Sequence, residues 1–428
     1  MTFLYLSILF ITVLSAYYYQ KDLLSPVRLY ICMYSFLLAV NALKLSDYQT
    51  EWSLTTHLFF WGASGLFIAG GCIMLLVNRV NNPLGPVNFS FVKSALASDA
   101  LRMDWKWFFY VWLFCSAFFM ASYAASFAIS GVVPMLSENA DKARISFFEA
   151  NRFANIGIFF GPLSLILAAE LLLFATPGRR RRWIVAAVSC VTLLLYGTIV
   201  TRIDLFRVIL FALVIYHYGK KRLSPAQLLY AFGFSVLFFL IFFFVRIKTD
   251  TVGIFAETFH VHMPKEFIWT ANMYTYLVND FWNLDFAFRK YVDGLYVYPH
   301  SFGYDLLRPF FFFTHLEFPM LKSWGFDSIM NESIVKVKGF NTVVYVWHFY
   351  KDFGVFGVYF LPLVLGMLCT TFYVNTLYRP SLFRIALWGI FVSFILLSFH
   401  GPLWELWFVY VNILFLAIAH KQIKLATG

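Results

Sequence analysis

The sequence predicts an all-α fold, a polytopic integral membrane protein of about 11 transmembrane helices (roughly 10 to 12), with a long, partly helical extracytoplasmic loop. Three observations lead there. Of 428 residues, 61% are hydrophobic and 13% charged, with 54 Phe, 25 Tyr and 13 Trp; a soluble fold of this length cannot bury so much apolar surface. Apolar windows of about 18 or more residues recur, each long enough to cross a hydrocarbon core of about 30 Å. Basic residues gather in short connections, Arg179 to Arg182 in "GRRRRW" and Lys220, Lys221 and Arg222 in "GKKRLS", which fixes the more basic side in the cytoplasm. The net charge of +11 is therefore read as membrane orientation, and nucleic acid is not expected as a partner.

In chain order the spans fall at roughly 2–19, 28–45, 57–78, 107–130, 155–176, 183–200, 204–218, 227–246, 354–378, 385–399 and 404–420, placed by length and apolarity. The first lacks a basic leader and a small-residue cleavage site, so it is expected to be a retained helix. With the two basic clusters inside, the amino terminus is outside and the carboxyl terminus cytoplasmic. The acids agree: cytoplasmic connections hold Asp22, Asp99 and Asp104, while nearly all others fall at the outer side. Cys32, Cys72, Cys115, Cys190 and Cys369 are scattered through apolar segments, which suggests neither a disulfide framework nor a thiolate metal site.

Residues 1–428 read as a single multi-pass domain with two outer loops of interest, 131–154 and 247–353. The second is about a hundred residues long without low complexity, the mark of a folded or functional loop. It holds a helical-looking patch, "FIWTANMYTYLVNDFWNLDFAFRKYVDGLYVY", and an apolar run, "RPFFFFTHLEF", too short to span and suited to the interface. No internal repeat is evident, which weakens an inverted-repeat transporter.

Chemistry-bearing groups crowd the lip of the ninth span. "GFNTVVYVWHFYKDFGVFGVYFLPLVLGMLCTTFY" contains Asn341, Thr342, several aromatics, Asp352-Phe353-Gly354, Gly357 and Gly366 after Leu365. This pattern resembles Wzy-type oligosaccharide repeat-unit polymerases, the O-antigen and surface-polysaccharide polymerases. A second stretch, "GTIVTRIDLFRVILFAL", is similar to that family's outer turn in which an arginine begins a helix. Here Thr201-Arg202 is followed by Ile203 and Asp204, where the family has Ser-Arg followed by small residues.

The resemblance implies a membrane glycosyltransferase of polysaccharide biosynthesis in the bacterial inner membrane. Its outer face would polymerise undecaprenyl diphosphate-linked repeat units into a surface polysaccharide such as that of lipopolysaccharide. Lipid-linked oligosaccharides and membrane lipids are the implied partners, with a chain-length regulator and a flippase beside them. No cofactor or metal is implied. Consistent with a lipid-linked donor, the chain has no Asp-x-Asp pair, Walker loop or G-x-G-x-x-G fingerprint, the usual signs of nucleotide binding.

A departing diphosphate needs fixed cations, and the guanidinium fork suits phosphate oxygens. The candidates are Arg144, Arg152, Arg202, Arg207, Arg246, Arg308 and Lys351. Arg207 falls about one turn inside the membrane, where a lone charge costs about 2.5–3.5 kcal/mol; it either binds the diphosphate or pairs with Asp204 at i, i+3. Arg152 has a loop salt bridge with Glu149 as its alternative.

The acceptor hydroxyl needs a general base. His348 and Asp352 are candidates four residues apart, as are His400 and Glu405 in the turn "FHGPLWELW". Trp347, Tyr350, Trp404 and Asn341 are candidates for sugar contact. The plainer reading makes these aromatics interfacial anchors and Asp352 a helix cap. Glu170 is expected to snorkel or pair internally. The His260-x-His262 pair shows no cysteine or clear carboxylate completion, so a metal is not expected there. A lipid-linked glycan ligase, a lipid or glycan flippase and a membrane acyltransferase using His400 stand as alternatives.

The orientation is testable with alkaline phosphatase fusions, which fold only outside the cytoplasm. Fusions within 131–154 and 247–353 are expected to be active, and fusions after Arg182, Arg222 and Gly428 inactive. The reverse pattern would invert the map.

Overall fold

Backbone amides shielded from water must be satisfied within their own segment, so long apolar stretches fold as helices. The computed structural model describes residues 1–18, 22–81, 88–137, 140–149, 156–175, 178–199, 202–224, 226–228, 230, 231, 233, 260–294, 300–304, 306, 307, 309, 342–401 and 406–422. Its helices are α1 (Thr2–Tyr18), α2 (Pro26–Asn41), α3 (Leu54–Asn81), α4 (Phe89–Arg102), α5 (Trp105–Ser130), α6 (Ala140–Glu149), α7 (Phe160–Phe174), α8 (Arg179–Thr198), α9 (Arg202–Gly219), α10 (Ala271–Phe288), α11 (Tyr345–Tyr378), α12 (Leu382–Leu397) and α13 (Trp407–Ala419). Among the described residues, extended pairing is confined to two isolated bridges, Ser46 with Val261 and Met103 with Gln422.

Among the described residues four helices are long and apolar enough to cross a membrane: Leu54–Asn78, Trp105–Ser130, Ile156–Phe174 and Tyr345–Tyr378. The apolar helices α1, α2, α12 and α13 are shorter. Arginines 179–182 occupy the first turn of α8, and Arg202, Asp204 and Arg207 interrupt the start of α9, so neither presents the same uninterrupted length. Most of the segment expected at 227–246 lies outside the described residues.

The chain forms two compact units, each assembled from separated stretches. The first comprises Met1–Val87, Thr249–Asn375 and Phe394–Val409; the second comprises Asn88–Lys248, Thr376–Ser393 and Tyr410–Gly428.

In the first unit α3 and α11 meet backbone to backbone. A side-chain carbon on Gly70 would lie 2.2 Å from the Leu363 carbonyl oxygen, and one on Gly366 2.1 Å from that of Phe67. Polar groups are matched across this core. The Tyr30 hydroxyl bonds those of Ser64 (2.9 Å) and Tyr345 (3.0 Å), and Tyr34 bonds Ser398 (2.9 Å). Asp22, buried beside α2, accepts from the Leu24 amide (2.9 Å) and the Tyr373 hydroxyl (2.8 Å).

Helix α11 is two helices joined at a corner. Gly354 has φ 60° and ψ −147°, a left-handed geometry that side-chain-bearing residues rarely adopt. The turn brings Gly357 back against the Phe349 carbonyl, 2.2 Å from where a side-chain carbon would sit. Both glycines of Asp-Phe-Gly-x-x-Gly are thus required by one corner.

The second unit packs α7 against α5, α8 and α9. Aromatic rings fill the centre, with Phe160 edge-on to Phe118 and Phe415 at 5.0 Å. The Tyr123 hydroxyl bonds that of Thr198 at 2.6 Å.

Gly366→Val is expected to destabilise the protein by about 1–3 kcal/mol through overpacking. Gly65→Ala, on the same α3 where a side-chain carbon meets nothing within 4 Å, should be neutral or stabilising by up to about 1 kcal/mol. Thermal inactivation of the two purified variants in one detergent measures the contrast.

Candidate functional site

The polar residues of the first unit converge on α10. This helix carries Tyr276, Asp280 and Asn283 at i, i+4 and i+7, a spacing that lines them along one face. Its start is held by Tyr274, which accepts from the Leu45 amide (2.9 Å) and donates to Gln49. Burial pushes the Tyr274 phenol up to about 12, so it keeps its proton and its role as donor. Its far end is held by Asp285, which accepts from the Ser53 amide (2.8 Å), the Thr56 hydroxyl (2.8 Å) and Arg289 (2.7 Å).

Between these anchors lies a three-residue relay. Asp280 is fully buried, and its Oδ2 faces His400 Nδ1 at 3.2 Å. On the other side of the ring, His400 Nε2 faces the Tyr276 hydroxyl at 3.1 Å. An ionised carboxylate can only accept, so the tautomer that matches an ionised Asp280 has its proton on Nδ1 and Nε2 as the acceptor. The carboxylate thereby sets both the tautomer and the ring orientation, as an orienting Asp does in a hydrolase triad.

The two segments singled out from sequence meet beside this relay. The Tyr345 amide bonds the Ser398 carbonyl at 3.0 Å, and Asn283 donates to the Thr342 carbonyl at 2.9 Å. His348 Nε2 lies 4.0 Å from where a side-chain carbon on Gly401 would start. His348, one of the predicted catalytic residues, therefore lies beside the 398–401 turn that carries another, His400. Sequence reasoning missed Asp280 and Tyr276. Their signal was available: three polar residues at i, i+4 and i+7 in an otherwise apolar aromatic helix.

Asp352 is engaged differently. It is buried and accepts from the Ser301 hydroxyl and, at 3.1 Å, from the Leu306 amide. The Ser301 amide donates to the Lys351 carbonyl (3.1 Å) and the Phe302 amide to the Asp352 carbonyl (2.9 Å). These bonds fasten Ser301, Phe302 and Leu306 to the segment just before Gly354, an anchoring role for a residue expected to be catalytic. Lys351, expected on a diphosphate, is itself buried at this corner. Trp347 and Tyr350, expected to stack on sugars, stack on each other at 5.4 Å beside Phe288; Trp347 is 1% exposed. Both rings belong to the core.

In the second unit Arg207 is 4% exposed and bonds Asp204 at 3.0 Å, while the other Asp204 oxygen accepts from Tyr196 at 2.9 Å. The i, i+3 pairing is thus the geometry present. Arg144 is half-buried on α6. Arg152, Arg246, Arg308, Asn341, Trp404 and Glu405, with the side chain of Arg202, lie outside the described residues. Glu170 is fully buried and meets His420 Nε2 at 2.8 Å, an internal pair.

Among the described residues no group of three or more His, Cys, Asp or Glu is arranged to hold a metal. The His260-x-His262 pair does have a carboxylate, which sequence did not reveal: Asp47 lies 2.8 Å from His262 and 3.9 Å from His260. No family model, curated protein or solved structure matches the chain.

Bonds to a charged acceptor contribute about 1.5–3 kcal/mol each. Asp352→Ala is therefore expected to lower stability by about 3 kcal/mol and to expose 300–309 to limited proteolysis. A variant as protease-resistant as the parent would return Asp352 to the list of chemical groups.

Proposed function

We propose that this protein is a membrane glycosyltransferase that polymerises undecaprenyl diphosphate-linked oligosaccharide repeat units into a surface polysaccharide, with His400 as the general base. The observation that carries this reading is the Tyr276–His400–Asp280 relay, placed beside the segment whose motif resembles Wzy-type polymerases. In this reading the chain crosses the bacterial inner membrane about 11 times. Loops 131–154 and 247–353 and the amino terminus are outside, and the carboxyl terminus is cytoplasmic.

The acceptor sugar hydroxyl takes the place of Tyr276 at His400 Nε2. Its oxygen bonds the anomeric carbon of the donor as the bond to the diphosphate breaks, and that electron pair leaves with the diphosphate. The hydroxyl proton passes to Nε2, and Asp280 stabilises the resulting imidazolium. His348 lies close enough to the 398–401 turn to steer the acceptor. Among the cations expected on the diphosphate, Lys351 belongs to the same compact unit as the relay, while Arg144 and Arg207 belong to the other. A chain-length regulator and a flippase are the partners that such a reaction calls for.

A second reading keeps the relay and changes the donor. An imidazole oriented by a buried carboxylate equally activates a hydroxyl toward an acyl group, and a ligase would transfer the same glycan to a different acceptor. Donor and acceptor dependence separates the three.

The test incubates the purified protein with lipid-linked repeat units, without added metal, and resolves products by length. A ladder is expected for the parent. His400→Gln should slow elongation by at least about a hundredfold, the usual contribution of a positioned base. Asp280→Asn should slow it with little change in KM, because it disturbs the tautomer and not substrate binding. Consumption of an acyl donor without a ladder would overturn the glycosyl reading in favour of acyl transfer. An undiminished ladder from His400→Gln would remove the relay from the mechanism.

A further inference from the structure

The second unit contains a cavity unrelated to the relay. It occupies about 490 Å³ and is lined by Arg379, Pro380, Ser381, Phe383, Arg384, Ala417, His420 and Gln422. That volume falls in the range of small-molecule sites. It opens where three apolar helices stop or start: α11 ends at Tyr378, α12 begins at Leu382 and α13 ends at Ala419.

Two arginines, Arg379 and Arg384, line it. Arg384 donates to the Arg379 carbonyl, which holds both arginines in one short turn. Neither has a carboxylate partner among the described residues. The acids beside the cavity are committed elsewhere. Asp99 accepts from the Leu382 amide (2.8 Å) and from Gln422 Nε2 (2.9 Å), and Glu170 holds His420. Ser381 accepts from the Arg384 amide at 3.3 Å. Like charges kept close repel unless an anion joins them.

The lining also includes Phe383, Pro380 and Ala417, which contribute carbon surface. Arginines beside carbon surface, at the ends of apolar helices, fit an amphipathic anion better than an inorganic one. Basic pockets of this kind between helix ends receive anionic lipid headgroups.

We infer that the cavity bounded by Arg379, Arg384, Ser381 and Gln422 binds a phosphate-bearing anion, the headgroup of an anionic phospholipid whose tails lie along the apolar helices. The guanidinium forks take the phosphate oxygens, and Ser381 and Gln422 border the remainder of the headgroup. The site is independent of the glycan chemistry and lies at helix ends that the sequence assigns to the cytoplasmic side.

The full chain, reconstituted in phosphatidylcholine nanodiscs with or without phosphatidylglycerol, can be released into a native mass spectrometer to count retained lipids. The parent is expected to retain phosphatidylglycerol in preference to phosphatidylcholine. Arg379→Gln with Arg384→Gln should weaken that retention by at least about tenfold, the loss of two charge-assisted contacts. Lys220→Gln with Lys221→Gln, which removes two charges from a different basic cluster, should leave it unchanged. Should the double arginine variant not purify, Arg379→Gln alone, at an exposed position, carries the test.

A parallel titration of the phosphatidylcholine sample with inorganic phosphate, read by Tm, identifies the source of the anion. An arginine-dependent rise at millimolar phosphate would support the site and assign it to a soluble anion. Equal losses in the arginine and lysine variants would overturn the proposal, as would the absence of arginine-dependent binding in both experiments.

Discussion

A carboxylate removed from water has to be met by donors inside the protein, because its charge otherwise costs several kcal/mol. Among the described residues six are buried, Asp22, Glu170, Asp204, Asp280, Asp285 and Asp352. Each accepts from at least one amide, hydroxyl, imidazole or guanidinium. Much of the architecture follows from these matches. Asp285 ties α10 to the start of α3, Asp22 ties the start of α2 to α11, and Asp352 ties 300–306 to the corner of α11. Apolar packing fills the space between helices, but the carboxylates choose which segments are joined.

The corner at Gly354 shows how one backbone requirement organises a motif. A positive-φ residue kinks the helix, and a second small residue, Gly357, sits where the two arms touch. Gly366 then lets α11 close on α3. The glycines that carry the family resemblance have a physical task each, and none of those tasks is catalytic. Asp352 belongs with them, since its bonds hold the loop that covers the corner.

Helical class and membrane character were legible because they depend on composition and run length, which need no tertiary information. The patch read as helical within the long loop is a helix, with a 3-10 turn at Lys265–Thr270 before it and a π turn at Arg289–Asp293 after it. Site geometry was legible only where partners are close in sequence, as with Asp204 and Arg207 at i, i+3. Asp280 and His400 are 120 positions apart, and nothing local in either segment announces the other. The same holds for Asp47 and the His260-x-His262 pair, joined only because an antiparallel bridge sets Ser46 opposite Val261.

The relay and the Asp352 anchor illustrate why burial alone does not identify a base. Both carboxylates are almost fully enclosed. Asp352 gives its two oxygens to groups that fix backbone, and releasing either would open the loop it secures. Asp280 instead faces one imidazole, whose far nitrogen meets the Tyr276 hydroxyl. A proton acceptor needs one lone pair whose occupant can be replaced at low cost. In the first unit the Asp280–His400 pair has the geometry of a carboxylate orienting an imidazole, while both oxygens of Asp352 are engaged by the Ser301 hydroxyl and the Leu306 amide.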